Sequence, residues 1–410
     1  MILYILIGII TFDFLFERLL EYLNLRNWKE KVPQGLEGYY DQEKYSLSQK
    51  YHKEQARLGL ITESFNFILI IAMLLSGGFG WLSNYLETYL KNPVWLALAF
   101  FGVLAVITTL LNLPFGLYDT FVIEQKYGFN RTTPKTYFLD LIKGLLLTVI
   151  IGVPIGFIIL TLIIHLQASF WIYAWILIAV FMVFVNFFYT SLFVPLFNKL
   201  TPLPEGELRS EIEAYAAKVN FPLTKIMVMN GSKRSSKANA FFSGFGSRKT
   251  IVLFDTLIEK QTTPELVSVL AHEVGHYKKK HIIQGLILSL LQMGLMLFLM
   301  SRLLFNPALS AALGADSLKY HLNLLAIGIL FGPFSMLTGI AMNVFSRKNE
   351  FEADSFAVST SDGEVFKEAL LKMSVDSLSN LDPHPAYVFV HYSHPPVLER
   401  VKQLGISSKG

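Results

Sequence analysis

The sequence predicts a mainly α-helical integral membrane protein with seven transmembrane helices and a cytoplasmic soluble part containing a small β-sheet. Three observations carry that prediction. Of 410 residues, 53% are hydrophobic and only 16% charged, and mean hydropathy is positive, a composition foreign to soluble domains. Seven apolar runs are long enough to cross a bilayer as helices, near residues 1–20, 60–84, 93–113, 141–166, 169–197, 282–306 and 321–345. One long hydrophilic insertion, 198–281, separates the fifth run from the sixth.

The first run is interrupted by Asp13, Glu17 and Arg18 and no small-residue cleavage site follows, so it reads as a retained span, not a signal peptide. The segment behind it carries Arg26, Lys29, Lys31, Lys44, Lys50, Lys53 and Arg57. The segment behind the third run carries Lys126, Arg131 and Lys135, and the one behind the fifth is rich in lysine. Alternate loops are nearly bare, with Lys91 in one, nothing between the fourth and fifth runs, and Arg302 and Lys319 in the last. By the positive-inside rule the basic set faces the cytoplasm, which leaves the N-terminus outside or lumenal and the C-terminus inside. The expected organisation is a five-span bundle at 1–200, a soluble insertion at 201–281, a two-span hairpin at 282–345 and a cytoplasmic segment at 346–410.

Within the insertion, 207–219 reads as an amphipathic helix, and 226–229, 239–245 and 250–254 read as strands. Gly246-Ser247-Arg248-Lys249 suggests a hairpin between the last two. With no cysteine in the chain, disulfides and thiolate metal sites are excluded. The net charge of +4 is small, and no nucleic-acid partner is expected.

The chemistry gathers at Ala271-His272-Glu273-Val274-Gly275-His276, an H-E-x-x-H pattern. Thr262, Pro264 and Glu265 mark a helix start, and Leu266, Val269 and Leu270 give that helix an apolar stripe before the motif. On a helix His272 and His276 share a face and reach one metal ion, while Glu273 lies about 100° round, placed to meet a metal-bound water. Neutral imidazoles with an open position suit Zn²⁺, one per chain, and the soluble part is therefore expected to be zincin-like. A third protein ligand is needed. Beyond the last apolar run, Glu350 and Asp354 stand four apart and share a helical face, with Glu352 pointing away from it. Glu350 is the expected third ligand, and Asp354 is expected to accept a hydrogen bond from a ligand imidazole.

The H-E-x-x-H, the later E-x-x-x-D and the seven runs together resemble the type I CAAX prenyl endopeptidases, integral-membrane zinc metalloproteases. So do Tyr127-Gly128-Phe129-Asn130, Thr201-Pro202-Leu203-Pro204-Glu205-Gly206-Glu207, Phe221-Pro222-Leu223-Thr224-Lys225 and Gly231-Ser232-Lys233-Arg234-Ser235-Ser236. Asn239-Ala240-Phe241-Phe242, Ile251-Val252-Leu253-Phe254-Asp255-Thr256-Leu257 and His394-Pro395-Pro396-Val397-Leu398-Glu399-Arg400 extend the likeness over most of the chain. The resemblance implies an edge strand at Asn239 and Ala240 along which substrate backbone pairs. It implies His394 as a donor to the oxyanion at the scissile carbonyl, and Arg400 as a residue that orients substrate or neighbouring carboxylates. It implies a peptide or protein C-terminus, prenylated on a CAAX box, as substrate. In such a family the spans surround a chamber, and Asn66, Asn112, His165 and Asn186 either line it or bond between helices.

The segment between Leu257 and the metal motif is short, cysteine is absent, and Ser408-Lys409-Gly410 is not an ER retrieval signal. These features favour a bacterial cytoplasmic membrane, with the ER membrane as the eukaryotic setting, and a bacterial setting weighs against a prenylated physiological substrate. Two rivals remain open on sequence: a broad-specificity membrane quality-control metalloprotease, and a seven-span receptor, channel or transporter with an incidental motif. His281, His384 and His391 read as ordinary helix-start or surface histidines, and Lys278-Lys279-Lys280 as the basic flank of the sixth run.

Overall fold

The computed structural model describes every residue except 30, 34, 35, 37, 244–248 and 405–410. The chain is mainly helical. It opens with α1 (Ile2–Arg26), α2 (Gln42–Leu75), α3 (Gly78–Glu87) and α4 (Pro93–Tyr118), the last continuing through a π-turn to Glu124. Next come α5 (Pro134–Leu147), α6 (Val153–Leu166), α7 (Phe170–Phe188) and α8 (Val194–Phe197). Four helical stretches among the described residues are long and apolar enough to cross a membrane: Gln42–Leu75, Pro93–Glu124, Pro134–Phe197 and His281–Leu303. A bent pair, Tyr320–Leu330 with Gly332–Thr360, makes a fifth if taken as one span.

Two expected runs are divided differently. The run near 60–84 is broken at Gly77, whose φ of +67° ends α2, and α3 starts a new direction. Gly80 sits so close to Leu313 and Gly314 that a Cβ would meet the Gly314 carbonyl oxygen at 2.2 Å, which explains a glycine inside α3. The run near 321–345 bends by 50° at Phe331–Gly332. Pro333 follows at once, and its ring removes the N–H that the carbonyl one turn back would take. The stretch Pro134–Phe197 is 64 residues long. A straight helix of that length would span about 96 Å, three times a hydrocarbon core. The chain instead turns at Gln167, where φ is +44°, and α6 and α7 pack on each other. Asn66 and Asn112 bond to each other between α2 and α4 at 2.9 Å, and Asn186 bonds its own helix at the Met182 carbonyl.

The insertion folds as α9 (Glu207–Lys218) packed on a four-stranded sheet of order β1-β2-β4-β3. Strand β2 (Leu223–Met229) takes β1 (Leu200–Pro202) antiparallel on one side and β4 (Lys249–Phe254) parallel on the other. Strand β3 (Ala240–Ser243) runs antiparallel to β4 and forms an edge. The pairing expected of a hairpin is present, although residues 246–248 of its connection lie outside the described residues. Strand β1 does not stand out in the sequence, because three residues ending in Pro202 give no alternation to read.

After α10 (Asp255–Lys260) comes α11 (Thr263–Lys278), the helix of the metal motif. Ile212, Ile251, Leu253, Leu257, Leu270 and Phe366 belong to the buried cluster against which α11 is seated. Then follow α12 (His281–Leu303), α13 (Pro307–Ala312), α14 (Tyr320–Leu330) and α15 (Gly332–Thr360). The last elements are α16 (Gly363–Asp376), α17 (Pro385–His391) and α18 (Val397–Gln403). Helix α15 runs unbroken from its apolar first half past Glu350 and Asp354, and it packs along α11. The insertion is fastened to the bundle by Arg234, which holds Asp140 at 2.7 and 2.9 Å and Asn198 at 2.7 Å.

Candidate metal centre

The start of α11 is built as its sequence suggests. Thr262 and Glu265 form a reciprocal capping box, with the Thr262 N–H donating to Glu265 at 2.8 Å, and Lys372 of α16 pairs with the same carboxylate. Two turns on, the motif face meets α15. Gly275 allows this approach: a Cβ there would stand 3.0 Å from the Cα and carbonyl oxygen of Ala353 and 3.1 Å from Phe356.

That contact brings two imidazole nitrogens and both oxygens of one carboxylate together. His272 Nε2 and His276 Nε2 are 3.1 Å apart, Glu350 Oε1 lies 3.2 Å from His276 Nε2, and Glu350 Oε2 lies 3.5 Å from His272 Nε2. A tetrahedral ion with bonds near 2.0–2.1 Å has ligand–ligand edges of roughly 3.3–3.4 Å, close to all three. His272 directs Nδ1 to Asp354 Oδ1 at 2.8 Å, and His276 directs Nδ1 to His281 at 3.0 Å. With protons on those outer nitrogens, the two inner nitrogens face each other as lone pairs beside a carboxylate. Glu350 Oε2 is buried with no hydrogen-bond partner among the described residues. Two lone pairs and a carboxylate converging in a buried space fit a cation. Among the described residues, His272, His276 and Glu350 form the group able to hold a metal.

The surroundings are charged and largely buried. Arg400 of α18 grips Asp354 through two bonds, Nε to Oδ2 at 2.8 Å and Nη2 to Oδ1 at 2.5 Å, and also lies 3.7 Å from Glu350. Of the two roles the resemblance implies for Arg400, the geometry serves the orienting of carboxylates. The His272 ring stacks on Phe366 at 5.9 Å. Burial alone would raise the Asp354 carboxyl, but the hydrogen bonds from Arg400 and His272 hold it down at about 2. Glu350 behaves alike: burial opposes its charge, and His276, His272, His394 and Arg400 bring it to about 2. Glu273 is the opposite case. Burial pushes its carboxyl up to about 7, with the Glu350 charge adding to the rise against His276 and Arg400.

His394 Nε2 stands 3.3 Å from Glu350 Oε1, its ring largely exposed, with Ser393 Oγ on its Nδ1 at 2.9 Å. It borders a cavity of about 630 Å³ that extends from Arg400 to Lys237 and Ala238, next to Asn239 and the edge strand. His384 caps α17, accepting from Ala386 N–H at 3.2 Å, as its position suggests. His281 departs from the expectation of an ordinary histidine: it is buried against His276. Glu352 is not among the ligand atoms and lies 3.4 Å from His281. No sequence signal marks His281, because its position depends on how the chain turns after α11.

Residues 21–199 match the family of CAAX prenyl protease N-terminal regions with five membrane helices, and residues 202–406 match peptidase family M48. The chain belongs to peptidase family M48. It is 33% identical to a CAAX prenyl protease 1 homolog of Arabidopsis thaliana over 97% of this chain and 96% of the relative. With CAAX prenyl protease 1 of Saccharomyces cerevisiae it shares 31% identity over 99% and 95%. The crystal structure of S. mikatae Ste24p superposes with a TM-score of 0.94 at 30% identity, covering 99% of each chain. The M48 chain described here is thus a membrane metalloendopeptidase, and the reading of the motif as incidental to a receptor or transporter falls.

Proposed function

We propose that this M48 peptidase is a seven-span zinc endopeptidase that cuts near the C-terminus of prenylated CAAX substrates. The observation that carries the reading is the meeting of His272, His276 and Glu350 at tetrahedral spacing beside a cavity bordered by His394, Arg400 and Ala238, two residues before the edge strand. Zinc, the ion that favours two imidazoles and a carboxylate with an open position, would polarise the scissile carbonyl and acidify the attacking water.

The chain supplies the rest. Glu273 takes the proton of the attacking water at its carboxylate and returns it to the leaving amine, work suited to a carboxyl raised to about 7. Asp354, clamped by Arg400, keeps the His272 proton on Nδ1 and its ring in place. His394, with Nδ1 accepting from Ser393, offers Nε2–H to the oxygen that gains charge. In β3, the register Ala240↔Leu253 and the bond from Phe254 N–H to the Asn239 carbonyl leave Ala240 and Phe242 with their main-chain groups directed to the free edge. A substrate strand adds there.

In this reading the seven spans are α1, the apolar half of α2, α4, α5 with α6, α7, α12, and α14 with α15, and the bias of basic residues toward alternate loops supports a cytoplasmic metal centre and C-terminus. In this reading the chain divides at 1–200, 201–281, 282–345 and 346–410; the break between the matched regions at 199 and 202 supports the first of these boundaries. The purified, zinc-loaded chain should cleave a farnesylated CAAX peptide well and its unfarnesylated twin poorly. Equal cleavage of both, and of unrelated unfolded proteins, would replace this reading with the quality-control one.

A further inference from the structure

The two imidazoles of the motif are supported differently. His272 has a carboxylate directly behind it, whereas His276 has another imidazole. The peptide turns sharply after α11, where Lys280 takes a left-handed conformation (φ +61°, ψ +29°) that a non-glycine residue rarely adopts. The turn folds His281, first residue of α12, back over the last turn of α11. Its side chain is only 4% exposed, its Nδ1 stands 3.0 Å from His276 Nδ1, and the two rings meet edge to face at 74°. Its Nε2 looks outward to Glu352 Oε2 at 3.4 Å.

We propose that His281 is a positioning residue for His276, held in the required tautomer by Glu352. The argument rests on the reading of His276 as a metal ligand through Nε2. In that role His276 carries its proton on Nδ1, and the atom facing this proton must be an acceptor. His281 Nδ1 is that acceptor, so the His281 proton sits on Nε2, where Glu352 receives it. His281 is not itself a fourth ligand, because its nearer nitrogen faces the outer edge of His276, away from Glu350. Glu352, which helical geometry sets apart from Glu350, thereby still touches the site through one intermediary. The strained Lys280 is the structural cost of bringing His281 back.

The test measures zinc affinity of the full-length purified chain by competition with a chromogenic chelator, together with the visible spectrum of the cobalt-loaded protein. His281→Phe should weaken zinc binding by about 10- to 100-fold and alter the cobalt spectrum. His281→Asn puts an amide oxygen where Nδ1 stands, so it should stay within about threefold of the parent and keep the parent spectrum. Glu352→Ala should weaken binding by less than about tenfold, and should have no further effect in the His281→Phe background. The proposal is overturned if His281→Phe binds like the parent, if His281→Asn is as weak as His281→Phe, or if the Glu352 effect persists in the double variant. His276→Ala separates the two levels. Should it keep its zinc, the ligand reading itself fails; should it lose zinc while His281→Phe does not, only the positioning role fails.

Discussion

At the scale of residues, the centre divides its carboxyl groups by surroundings. Glu350 and Asp354 are held charged near 2 by the imidazoles and the guanidinium that hydrogen-bond or face them, and Glu273, desolvated with less compensation, rises to about 7. A ligand and a clamp must stay ionised, whereas a base that takes and returns a proton works best near the operating pH. Glu273→Gln should therefore keep the metal and lose at least about 100-fold in turnover, measured on the zinc-loaded variant; near-parental turnover would remove Glu273 from the role. Asp354→Asn should weaken zinc binding or activity by about 10- to 100-fold, since the His272 proton loses its charged acceptor. The pairing of Glu350 with Asp354 was legible because helical period alone sets Glu352 apart. The contact of His281 was not, because it depends on a left-handed residue, Lys280, whose side chain gives no hint of it.

Elements were legible where a pattern had room to repeat. The capping signals of α11 and the short apolar, β-branched runs of β2 and β4 mark those segments in the sequence, while three-residue β1 is too short to stand out. Interruptions inside apolar runs were harder. Gly77 ends α2 within a stretch that hydropathy treats as continuous, and the bend before Pro333 divides α14 from α15 without a polar residue. The contact that matters most for the site is α11 against α15, and it depends on Gly275 having no side chain. A glycine in a helix interior costs roughly 0.5–1 kcal/mol, offset here by the approach it permits. Gly275→Val should force the helices apart, cost about 1–3 kcal/mol from overpacking, and lower metal content along with melting temperature. A variant with parental zinc content and melting temperature would show that the two helices do not need this proximity.

For the whole molecule, the membrane class was legible from composition, and the identity of most segments from motifs spread over the chain. Arg234 shows what those scattered motifs do, since it ties the insertion to Asp140 in the middle of α5 and to Asn198 before β1. The reversal within Pro134–Phe197 was legible, since the apolar runs 141–166 and 169–197 leave a gap where Gln167 takes a φ of +44°; how the other helices pass the bilayer is less so, because hydropathy treats the stretch that Gly77 breaks as continuous. The cysteine-free chain offers a direct check of orientation. Single cysteines placed near Lys44 and Lys237 should react from the cytoplasmic side, and one near Lys91 only from outside; the reverse would move the metal centre across the membrane. The central claim is that one zinc, held by two residues of α11 and one of α15, carries the hydrolysis. Metal analysis of purified Glu350→Ala and Glu352→Ala beside the parent chain tests it most directly. The account predicts one zinc per parent chain, almost none in Glu350→Ala, and near-parental content in Glu352→Ala; a Glu350→Ala chain that keeps its zinc would contradict it.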